Sequence, residues 1–257
     1  MKTLLFYLFI FFPYPCLQAQ STDLPPPSAN LQTLPTGSYV IAMDNTNQLN
    51  NSGIFNYKSY GLIVTLLNNS VKVKWVITAG KAKDGTDLTV NATKIKPDEG
   101  TAASYSFKAG PFVIFATDTA GVAGIIDGFN NNISNANDKI KVYRTNASAT
   151  VDIRYDLTGF VPKAAILTDG GNQAIHTTYM SACNVPAANY QTANGGDLLT
   201  KCYTFASEPH NSNTGQVVDD AISAIKRFVE FGGNFLAQCE AVQTYENNTL
   251  GRFQTTT

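Results

Sequence analysis

This chain has little charge, few histidines and no long apolar run, and each shortage removes a class of function. Asp, Glu, Lys and Arg make up 14% of its 257 residues and nearly cancel, to a formal net charge of −1. With a pI near 6.1 and no Lys/Arg cluster, the chain lacks the electrostatic footprint of a nucleic-acid partner. His176 and His210 have no H-x-x-x-H or similar spacing, so neither metal nor cofactor is expected. The apolar run from Leu4 to Phe12 is too short for a bilayer span, which needs about 20 residues. With Lys2 before it and small or polar residues after it, the run reads as a secretory signal over 1–19, cut after Ala19. The mature product is therefore expected to be exported (extracellular, cell-surface or periplasmic) and to carry no transmembrane segment.

Cysteine is scarce too. Of four, Cys16 leaves with the signal, so Cys183, Cys202 and Cys239 remain in an oxidising compartment. A Cys183–Cys202 bridge would stabilise by about 3 kcal/mol in the chain-entropy model. The alternative is three free thiols packed as small hydrophobes. A bridge would leave Cys239 as the odd thiol.

Three consecutive prolines, Pro25 to Pro27, favour an extended chain and mark residues 20–36 as a spacer. Two regions are expected after it, 37–160 and 161–257. In the first, Ser38–Met43 and Val71–Ile77 read as strands, the second alternating strictly, and Phe55–Leu67 reads as a helix. Residues 79–100, punctuated by Gly80, Gly85 and Pro97, read as a loop. A strand follows around PFVIFA, then a helix over Thr119–Phe129 capped by Asp118 and two short strands, Lys139–Tyr143 and Val151–Tyr155. In the second region the strand Lys163–Leu167 runs into Asp169-Gly170-Gly171 and a helix to Ala182. A strand candidate over Asp197–Phe205 precedes the strongest amphipathic helix, Thr214–Phe231, with Ile222, Ile225 and Phe228 on its stripe. Strands interrupted by helices predict βαβ units and an α/β, doubly wound, mostly parallel sheet.

The chemistry-bearing stretch is Ala221 to Glu246. Its helix breaks at Gly232-Gly233, a short apolar strand follows, and Cys239 stands where a new helix-forming run begins. A sulfur at such a corner is displayed by its neighbours and is the candidate nucleophile. It requires a base, for which His210 in SEPHNSN and His176 are the available histidines, and backbone N–H donors such as that of Glu240. Asp169, Gly170 and Gly171 are binding candidates, because strand-end loops of parallel sheets converge on one crevice.

KAAILTDGG at Lys163–Gly171 and IKRFVEFGGNFLAQCEA at Ile225–Ala241 resemble the class I glutamine amidotransferase-like superfamily. The resemblance implies a flavodoxin-like second half with Cys239 at a sharp strand-to-helix elbow. Two departures accompany it: Ala237 and Ala241 stand where the superfamily has glycines, and no His-x-Glu follows Cys239 in this sequence. The first half, at Tyr60–Leu88 and Phe107–Ala116, is similar to exported bacterial proteins of the Bacteroidetes type. The resulting expectation is a non-catalytic surface domain that binds a small molecule, glycan or peptide. The alternative is a cysteine-dependent hydrolase or acyl/amido transferase.

Overall fold

A computed structural model describes residues 28–213 and 216–246, so the signal at 1–19, Cys16 and the stretch from 247 lie outside the described residues. Two sheets carry the chain. The larger contains β1 (Leu31–Leu34), β2 (Tyr39–Ile41), β3 (Lys74–Val76), β4 (Thr86–Lys96), β5 (Ala102–Lys108), β6 (Phe112–Ile114), β7 (Val142–Thr145) and β8 (Ala149–Asp156). Their order is β1-β8-β3-β6-β2-β7-β4-β5, with every neighbouring pair antiparallel. The smaller contains β9 (Ala164–Leu167), β10 (Tyr190–Ala193), β11 (Phe205–Glu208) and β12 (Asn234–Ala237), all parallel, in the order β10-β9-β11-β12. Five helices intervene: α1 (Lys58–Asn68), α2 (Val122–Asn131), α3 (Ala174–Ala182), α4 (Gln216–Glu230) and α5 (Glu240–Glu246).

This architecture corrects the expectation of a doubly wound, mostly parallel sheet with a flavodoxin-like second half. Helices do separate strands, but in the large sheet the strands they join are not neighbours. The helix α1 leads from β2 to β3, which run parallel with β6 inserted antiparallel between them. Likewise α2 leads from β6 to β7, with β2 inserted. Two split βαβ units thus interlock. Helix spacing reports the crossover but says nothing about which strand fills the gap.

The period-2 pleat sends side chains to two cores. Val40, Val113 and Tyr143 join Leu34, Leu88, Val90 and Phe107 on one face. Ile41, Phe112, Ile114 and Val142 face the other, where Leu62 and Leu66 of α1 and Ile126 and Phe129 of α2 cover them. The strand β4 lies in the segment read as a loop. Leu88, Val90 and Ala92 are buried, while Thr89 and Asn91 are exposed, so Gly85 and Pro97 mark its ends. Similarly, β1 falls at the end of the segment read as a spacer; it pairs with β8, and Leu34 is fully buried. The strand candidate over Asp197–Phe205 is a 3-10 turn at Gly195–Leu199, with β11 beginning only at Phe205. Asp118 caps no helix; it lies in a 3-10 turn and pairs with Lys72 at 3.0 Å.

The two halves meet where α1 passes the end of α3. A Cβ on Gly61 would lie 2.1 Å from the Cys183 carbonyl oxygen, so the approach requires glycine. Beside it, Asn68 and Asn189 exchange side-chain amide hydrogen bonds of 2.7 and 3.0 Å.

Candidate functional site

The carboxyl ends of β9, β11 and β12 collect most of the chemistry-bearing residues of the second half. The helix α4 docks there because Ile222, Ile225 and Phe228 pack on Ala165 and Ala206, bringing β12 alongside β11. Cys239 lies two residues past the end of β12, exposed, and its φ of +57° is left-handed. An L-residue pays about 1–2 kcal/mol for that conformation, and strained residues of this kind cluster at functional sites. The elbow therefore exists without flanking glycines, because Cys239 takes the unfavourable torsion itself.

Neighbouring groups hold this elbow. Gln238 N–H donates to the Glu208 carbonyl at 3.0 Å, and the Gln238 side chain meets His176 Nε2 at 2.6 Å. His176 Nδ1 lies 3.0 Å from Ser207 Oγ. With Gln238 Oε1 as acceptor, Nε2 carries the proton and Nδ1 accepts from the Ser207 hydroxyl. Both nitrogens are thus engaged, and the ring is buried against the sheet. Its hydrogen bonds therefore tie α3 to β11 and to the residue before Cys239.

His210 is placed differently. Its Nε2 lies 3.4 Å from Glu240 Oε2, and Glu240 directly follows Cys239. The structure therefore brings two sequence candidates into contact, His210 and Glu240, next to Cys239 in the chain. The backbone N–H groups of Ala241 and Val242 close turns onto Gln238 and Cys239 carbonyls at 3.2 Å each. Gly170 underlies the His210 loop: a Cβ there would lie 1.9 Å from the His210 carbonyl oxygen. Asp169 is a brace. Its carboxylate accepts from Gly195 N–H at 2.9 Å, and its carbonyl accepts from Asn213 Nδ2 at 2.7 Å. Burial raises its pKa, against the pull of the Gly195 bond. Gly171 completes the turn by donating to the Thr168 carbonyl.

The residues that sequence reasoning missed are Glu208, Asn211 and Tyr245. Glu208 is fully buried at the end of β11 and accepts from the Tyr245 hydroxyl at 3.0 Å. Burial pushes its carboxyl up to about 7; the Tyr245 bond works against this and the Asp169 charge adds to it. Tyr245 is raised in turn, by burial first and then by Glu208. Thr244 Oγ1 donates to the Asn211 carbonyl at 2.6 Å, which ties α5 to the His210 loop. The available signal was a polar run, Ser207 to Asn213, directly after an apolar strand.

Cys183 and Cys202 are free thiols, the first half-buried and the second exposed. Burial raises the Cys183 thiol pKa, partly offset by Lys58. Among the described residues no helix is long and apolar enough to cross a membrane, and no group of three His, Cys, Asp or Glu could hold a metal ion. Comparison with protein-family models, curated proteins and solved structures gives no match.

Proposed function

We propose that the protein is an exported cysteine-dependent enzyme that cleaves or transfers an acyl or amide group, with Cys239 as nucleophile. One observation carries this reading: an exposed thiol held at φ +57° between a parallel strand and a helix. A cysteine kept only for packing gains nothing from exposure or from that torsion.

The chemistry runs as follows. The Cys239 sulfur bonds to the acyl carbon, and the bond from that carbon to its amine or alcohol breaks. His210, with Glu240 as its carboxylate partner at 3.4 Å, carries the thiol proton to the departing group. The Glu240 N–H serves in this reading as donor to the developing oxyanion. Water, or an acceptor amine, then attacks the thioester and returns the proton and the free thiol. The leader sequence and weakly charged composition support export.

Alkylation of the native protein, with mass spectrometry locating the label, tests the reading. Cys202, exposed and free, serves as internal reference. Cys239 is expected to label faster than Cys202 at neutral pH, and His210→Ala is expected to remove the advantage. Equal rates at the two cysteines would return the crevice to the role of a non-catalytic binding surface.

A further inference from the structure

On the large sheet, a polar cavity of about 260 Å³ is lined by Lys94, Lys139 and Lys141 together with Asn50, Asn51 and Asp98. All three lysines are half-buried. Lys58, Lys72, Lys74, Lys81, Lys96 and Lys201 each pair with a carboxylate, but among the described residues Lys94, Lys139 and Lys141 do not. Asp138, beside Lys139 in the chain, is committed elsewhere. It accepts from Asn51 N–H at 2.9 Å and lies 3.8 Å from Lys58 Nζ. The lining therefore supplies three lysines and a single carboxylate, that of exposed Asp98.

Unpaired lysines normally extend into water, and drawing like charges together in a concavity costs free energy unless an anion joins them. Lys141 registers this: burial first, and Lys94 second, hold it below the usual lysine range. The asparagine loops complete the site. Asn137 Nδ2 donates to Asn51 Oδ1 at 2.9 Å, which leaves the Asn51 amide hydrogens as further donors.

We propose that this cavity is a binding site for a tetrahedral oxyanion, phosphate or sulfate, free or as the ester of a small hydroxylated molecule. The ammonium groups would take the oxyanion, and the Asn50 and Asn51 amides would take neighbouring hydroxyls. The site lies on the other sheet from Cys239 and does not depend on the reading proposed for it.

The experiment is a titration of the full chain with inorganic phosphate and, separately, with a hexose phosphate, followed by NMR of the lysine side chains. Saturable shifts at Lys94, Lys139 and Lys141 are expected from both. Tighter binding of the sugar ester would identify an ester ligand, and equal binding a free anion. Combining Lys94→Gln with Lys141→Gln should weaken binding at least about tenfold, and Lys141→Arg should retain it. Lys72→Gln, altering an exposed lysine outside the cavity, should change nothing. Absence of saturation with both ligands, unchanged binding by the double variant, or equal loss in Lys72→Gln would overturn the proposal.

Discussion

Cys239 joins an exposed thiol to a torsion that glycine adopts freely and other residues avoid. Replacing it should therefore improve the fold while removing the proposed chemistry. Cys239→Gly is expected to raise the unfolding free energy by up to about 1 kcal/mol, relief of strain being partly offset by the looser unfolded chain. Urea denaturation measures this, and a lower midpoint would mean that the sulfur itself anchors the elbow. His176 illustrates how the same residue type is sorted by contacts. Its two nitrogens are spent on Ser207 and Gln238, while among the described residues His210 pairs with Glu240. Nothing in the linear order of the two histidines distinguishes them.

At the scale of elements, β1 and β4 reveal where local reading failed. Both lie beside prolines and glycines, and that punctuation suggested a spacer and a loop. Yet Leu88, Val90 and Ala92 alternate with Thr89 and Asn91, the pattern of a half-buried strand. The strand β1 carries no such signal beyond Leu31 and Leu34; it becomes a strand because β8 offers it an open edge. If β1 is integral, Leu34→Ala should cost about 2–5 kcal/mol, as for other buried leucines. A thermal or urea melt indistinguishable from the parent protein would return the segment to the status of a spacer. The helices α3 and α4 were legible from their periodicity and flanking turns, and both lie within two residues of the positions expected.

For the whole molecule, buried Glu208 couples stability to pH. Folded Glu208 keeps its proton until about pH 7, while in the unfolded chain it releases it near the ordinary value of 4.5. Between these values the folded state binds more protons, so stability falls as pH rises through the window and levels off above it. The loss at pH 8 relative to pH 4 is on the order of 3 kcal/mol. Glu208→Gln should flatten this dependence, with its melting temperature exceeding that of the parent most clearly at pH 8. Parallel pH profiles for the two proteins would reject the assignment.

The sequence by itself determined the interrupted succession of strands and helices, the helix–strand–cysteine corner and the low charge of the chain. These rest on local periodicity, turn chemistry and composition, which act over a few residues. Tertiary structure alone decided that β6 and β2 insert between the strands that α1 and α2 connect, turning expected parallel neighbours into an antiparallel sheet. It also brought His210 to Glu240 and placed three lysines, unpaired among the described residues, around one cavity. Pairing partners and charge neighbourhoods are set by which surfaces bury each other, and residues far apart in the chain carry no local mark of that choice.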